Sequence, residues 1–202
     1  MIAAFTVTAA AQAPTETTVI ARTATGRGTY HYAEIYQQRG AWIVPDVGYI
    51  DFNRATDYRE IFIGGGRLLV HTGRLTVVGE GFLDAADGRS SGGAVYLLPW
   101  TLGAYRFAEN IRSEVVYFPY LPLNDAGRVQ HVLERAKVEW DFTRVTLGGG
   151  YAAYRFADDP WQQKPFVAAT LKAGDLGSVE FWLQRLSHNN VTVQVRYTNL
   201  FK

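Results

Sequence analysis

The sequence predicts an all-β fold, an antiparallel up-and-down transmembrane β-barrel of about ten strands, with twelve as the alternative. Three observations predict it. The closing segment Asn190 to Lys202 alternates with a period of two: Val191, Val193, Val195, Tyr197 and Phe201 on one parity, Asn190, Thr192, Gln194, Arg196 and Thr198 on the other. From Tyr30 onward the chain breaks into segments of about 10 to 14 residues, close to the length of a tilted membrane strand. The longest uncharged runs, Met1 to Thr15 and Ser90 to Tyr105, fall short of the about 20 apolar residues of a spanning helix. A membrane crossing by this chain therefore needs a closed barrel.

Composition agrees. Aromatics are 14% of the 202 residues and there are 20 Gly and one Met, a mix that suits strands and tight turns. A net charge of +1 gives no electrostatic case for a nucleic-acid partner. With no Cys, disulfides, thiolate metal sites and cysteine nucleophiles are excluded together.

Taken in order, residues 1–29 read as a signal-peptide remnant and flexible lead-in. Ala9-Ala10-Ala11 and Ala11-Gln12-Ala13 fit a small-x-small cleavage site, and 14–29 are rich in Thr, Ala and Gly. Residues 30–202 form the barrel domain. Strands are expected at 41–53, 58–71, 74–86, 93–107, 110–122, 128–142, 144–156, 164–173, 177–187 and 190–201. The count becomes twelve if Tyr30–Gln38 pairs with an earlier segment. The connections 72–73, 108–109, 143 and 174–176 are short. Those on the opposite side, 54–57, 87–92, 123–127 and 157–163, are longer, and 188–189 is the exception. Short turns on one side and longer loops on the other are the asymmetry of a membrane barrel.

Within strands, Leu75, Val77, Leu83 and Ala85 oppose Arg74, Thr76, Glu80 and Asp84. In 128–142, Ala136, Val138, Trp140 and Phe142 oppose Arg135, Lys137, Glu139 and Asp141, which are expected to face the lumen. Aromatics gather near strand ends: Tyr49, Phe52, Phe82, Tyr117, Phe118, Tyr120, Tyr154 and Phe156 toward one rim, Tyr105, Phe107, Trp140, Phe142, Tyr197 and Phe201 toward the other. They are expected to form two aromatic girdles. The hexapeptides from Ala104 and Ala153 share A-Y-R-F-A, and glycine triplets recur at 64–66 and 148–150. Pro45, Pro99, Pro119 and Pro122 fall inside expected strands and must sit at bulges or rims.

The apolar-polar alternation of the last strand and its terminal aromatic, Phe201, resemble the C-terminal strand of bacterial outer-membrane β-barrel proteins. Asn199 and the trailing Lys202 depart from that pattern. The resemblance implies a Gram-negative outer-membrane location, membrane lipid as surroundings, and recognition of the last strand by the outer-membrane assembly machinery. It implies no cofactor.

Chemistry is sparse. His31, His71, His131 and His188 show no ligand spacing, and none of the five serines lies in G-x-S-x-G. The glycine triplets lack the Lys-Ser/Thr of a phosphate loop. Asp84, Asp87, Asp158, Asp159 and His188 are expected near the outer mouth, an Asp/His set similar in placement to that of the omptin proteases, though no local motif assigns them as catalytic. The expected role is structural or interactive, presented by the outer loops, with a narrow solute path through the charged lumen. The alternatives are an outer-membrane hydrolase and a soluble β-barrel that binds an apolar ligand.

Overall fold

The computed structural model describes residues 16–25, 30–38, 43–52, 58–88, 92–185 and 189–198. They form twelve strands: β1 (Glu16–Thr25), β2 (Tyr30–Gln38), β3 (Ile43–Phe52), β4 (Tyr58–Thr72), β5 (Leu75–Asp87), β6 (Ala94–Ala108), β7 (Ile111–Pro122), β8 (Gln130–Asp141), β9 (Val145–Phe156), β10 (Gln162–Lys172), β11 (Gly177–Arg185) and β12 (Asn189–Thr198). Each pairs antiparallel with its chain neighbours, and β1 pairs with β12, so the sheet closes into a barrel. Closure leaves no unpaired edge, as a hydrocarbon environment requires.

Ten of the strands lie within a few residues of their expected positions, and β1 and β2 make the alternative count of twelve. The boundary at residue 30 needs correction. Residues 16–25, expected as lead-in, are a full barrel strand registered from Thr18↔Thr198 to Thr25↔Val191 on one side and Glu16↔Gln38 to Ala24↔Tyr30 on the other. The signal-peptide segment, residues 1–15, lies outside the described residues, as do Phe201 and Lys202.

Burial alternates along the strands with an inverted sense. Ile61, Ile63, Leu83, Leu97, Val138, Trp140, Val167 and Leu183 are exposed on the outside, whereas Asp46, Glu60, Asp84, Lys137, Glu139 and Thr146 are buried inside. A water-soluble barrel, with an apolar ligand inside, has the opposite polarity.

Pro45, Pro99 and Pro119 sit where a ladder is interrupted. Pro45 falls at the β3–β4 register shift between Ile43 and Asp46. Leu97 pairs with Leu121 and Thr101 with Tyr117, so Pro99 and Pro119 stand opposite each other in the intervening gap. Neither has an N–H to lose, and one interruption accommodates both. Pro122 pairs with Tyr96 at the end of β7.

The glycines serve close approach. A Cβ on Gly150 would lie 2.0 Å from the Ala136 carbonyl oxygen, so β9 can sit against β8 only without a side chain there. A Cβ on Gly48 would lie 2.0 Å from Phe62 Cζ, so Gly48 is the seat on which that ring lies against the barrel wall. The two A-Y-R-F-A copies end β6 and β9 at opposite ends of the barrel and are not equivalent.

Candidate functional site: the barrel interior

The interior divides into two walls. On β4–β7, Phe62, Phe82, Ala86, Ala94, Tyr96, Leu98 and Tyr120 form an apolar cluster, with Tyr32, Trp100, Phe118 and Val132 packed against it. Phe82, Phe118 and Tyr120, expected at an outer girdle, thus point inward. Phe62 and Phe82 meet edge to face at 5.5 Å, and Tyr96 and Tyr120 at 5.3 Å. In contrast, Tyr105, Phe107, Trp140 and Phe142 are exposed, and the last two stack at 5.9 Å.

The other wall carries ion pairs, organised by an irregularity in β8. Its pairing with β9 shifts between Leu133 and Ala136, and its pairing with β7 passes from Tyr117↔Leu133 to Val116↔Arg135. Glu134 is the extra residue. A bulge breaks the period of two, so Glu134 and Arg135, although adjacent, both point inward. Arg135 Nη1 donates to Glu134 Oε1 at 2.6 Å, and Arg22 Nη2 from β1 donates to the same oxygen at 2.7 Å. Arg135 Nε also donates to Glu114 on β7.

One turn of alternation further along β8, Lys137 Nζ lies 2.7 Å from Glu139 Oε1 and 2.9 Å from Glu180 Oε1 on β11. Glu139 Oε2 accepts from Arg112 Nε at 2.8 Å. At the end of β8, Asp141 Oδ1 accepts from Lys172 Nζ at 2.8 Å and from Thr146 Oγ1 at 2.6 Å. Arg135, Lys137, Glu139 and Asp141 are therefore members of one ladder running down the barrel.

Several contacts cross the lumen, because the strands involved are not neighbours in the sheet. Arg22 on β1 reaches Glu134 on β8, Lys137 on β8 reaches Glu180 on β11, and Tyr120 on β7 donates to Glu60 on β4 at 2.9 Å. Trp182 stacks on Phe166 at 4.3 Å, with the Arg22 guanidinium 5.7 Å from its ring centre. The lumen is crossed by side chains rather than open from end to end.

The rim set is not brought together. Asp84 is buried on the inner face of β5, Asp87 is exposed at the end of that strand, and Asp158 and Asp159 are exposed in the β9–β10 loop. His188 lies outside the described residues. Among the described residues no group of three His, Asp or Glu side chains is placed to hold a metal ion. Period-two reading cannot find Arg22, Glu114, Glu134 or Glu180, because their partnership depends on the bulge and on closure.

No family model and no curated protein matches the chain. Among solved structures it is similar to the KdgM porin, with a TM-score of 0.62 and 12% identity over 89% of this chain and 98% of that one. It is similar also to the KdgM porin in complex with disordered oligogalacturonate, with a TM-score of 0.60 and 12% identity over the same shares, 89% and 98%. Pseudomonas aeruginosa OccK5 (OpdH) matches with a TM-score of 0.44 and 12% identity over 89% of this chain and 62% of that one. At such identities the likeness to the KdgM porin is one of architecture: this chain has the fold of the bacterial outer-membrane β-barrels.

Proposed function

We propose that this protein resides in the bacterial outer membrane and gives small polar solutes a narrow, charge-lined path. The observation that carries the reading is the inverted barrel: an apolar outer belt that includes Ile63, Val138 and Val167, around an interior holding Lys137 at 6% and Glu139 at 2% side-chain exposure. Hydrocarbon against the outer belt repays its exposure. Paired charges inside are costly unless they meet each other and water, and a solute path provides both. The porin-type architecture supports the same role, and the trans-lumen pairs limit the path to small solutes.

A structural barrel presenting its outer loops is the second reading, and the same trans-lumen pairs favour it. Reconstitution into planar lipid bilayers decides between them. Discrete conductance steps, from protein whose SDS-gel mobility shifts on boiling, are the expected result. Folded, heat-modifiable protein with no conductance above the bare lipid would leave the structural role. Nothing in the placement of Asp87, Asp158 and Asp159 favours hydrolysis.

A further inference from the structure

The outer face of the barrel carries a polar cluster at the end where the longer loops lie. Thr146 is buried inside and Ala152 packs against the inward Phe166 and Trp182, so the period of two turns Arg155 outward on β9. On β8 the inward Val132 leaves His131 outward, and on β7 the inward Phe118 and Tyr120 leave Tyr117 outward. Arg155 pairs with His131, and a hydrogen bond of 2.7 Å joins the Tyr117 hydroxyl and His131 Nδ1. Trp161, in the β9–β10 connection, lies over both. Its ring is 6.1 Å from that of His131 and 5.6 Å from the Arg155 guanidinium.

Arg155 differs from the arginines of the interior. Arg22, Arg67, Arg112 and Arg135 each meet a carboxylate. Arg155 is half-buried, enters none of the ion pairs among the described residues, and its Nε is buried without a hydrogen-bond acceptor. A buried donor left without an acceptor is unfavourable, and a cation on the lipid side of a barrel is tolerated best near the membrane interface. There it meets headgroup phosphates, whose oxygens match the guanidinium fork. Trp and Tyr belong at the same level.

Below the cluster the same strands form an apolar groove of about 430 Å³, lined by Leu147 of β9, Val167 and Ala169 of β10, and Phe181 and Leu183 of β11. Leu147, Val167, Phe181 and Leu183 are exposed on the outside. The groove lies at the level of Gly149, which pairs with Val167 and has no side chain to fill it. Gly149 stands six positions before Arg155 on β9, a span of about 20 Å along the strand. At a tilt of about 40° this is a descent of about 15 Å, the hydrocarbon depth of one leaflet. We propose that Arg155, with Tyr117, His131 and Trp161, binds the phosphate of an anionic lipid of the outer leaflet, whose acyl chain lies in the groove below. The inference rests on residence in the outer membrane and is independent of any solute path.

The test is quenching of Trp161 in phosphatidylcholine vesicles that contain either brominated phosphatidylglycerol or brominated phosphatidylcholine. The Trp161 signal is the difference between wild type and Trp161→Phe. The expected result is several-fold stronger quenching by the anionic lipid at equal content. Arg155→Gln should abolish that preference, while Arg74→Gln, in the β4–β5 turn at the opposite end of the barrel, should keep it. Equal quenching by the two lipids in wild type, or a preference that survives Arg155→Gln, overturns the site. Ala169→Leu fills the groove and should lower quenching by the anionic lipid; no change there overturns the seat of the chain. Inorganic phosphate at matched ionic strength should not compete. If it abolishes the preference, the site belongs to the free anion and the lipid is overturned. Wild-type protein that shows no heat-dependent gel shift from these vesicles has not entered them, which overturns membrane residence and site together.

Discussion

The two walls of this barrel solve the same problem in different ways. Both line a narrow lumen that side chains cross. The β4–β7 wall does so with rings: Phe62, Phe82, Tyr96 and Tyr120 pack on one another, and Gly48 makes room for the first. The β7–β11 wall does so with charges that neutralise one another across the cavity. Loss of one ring leaves a cavity among the others. Loss of one charge leaves its partners desolvated and unpaired. The comparison teaches that the charged wall depends on the bulge at Glu134, whose oxygen two arginines share, whereas the aromatic wall depends on the fit of its rings.

The sharpest way to break this comparison is Glu134→Ala. It removes the oxygen shared by Arg22 and Arg135, and should cost about 3–5 kcal/mol in urea unfolding from lipid vesicles. A loss below about 1 kcal/mol would mean that water already satisfies those guanidiniums. Next is Ile63→Arg, on the lipid-facing side of β4, with an expected cost of about 2–4 kcal/mol in the same assay. A neutral result there would contradict the inside-outside assignment of both walls.

Tyr120→Phe removes a donor from the buried Glu60 carboxylate and should cost about 1–3 kcal/mol. It should leave the gel shift intact. Gly150→Ala sets a Cβ against a backbone carbonyl and should cost about 2 kcal/mol. Gly48→Ala meets only the end of a phenyl ring that can turn, so about 1 kcal/mol is expected. Equal costs would show that the aromatic wall is as unyielding as the backbone.

How far the sequence reveals this can be argued from particular strands. β5 and β6 show in sequence because their outward residues, such as Leu83, Val95 and Leu97, are large and apolar. β1 does not, because Val19, Ala21 and Thr23 give its outer face little hydrophobic amplitude, and Thr occupies both parities. Parity alone puts Arg135, Lys137, Glu139 and Asp141 on one face. It cannot place Glu134 with them, since a bulge puts two successive residues on the same side. Nor can it pair Arg22 with a residue 112 positions away, because that contact depends on how far the barrel is sheared when it closes.

The bulge has a consequence for how such a strand tolerates change in length. Loss of one codon elsewhere in β8 would transpose everything beyond it, sending Trp140 into the lumen and Lys137 into the lipid. Loss of Glu134 itself would not. Val132 and Arg135 would then alternate regularly about Leu133, Ala136 would follow, and each remaining residue of the strand would keep its side. The supernumerary position is thus a place where β8 can shorten by one and remain the same strand, and the carboxylate that binds two arginines stands on the residue the ladder does not need.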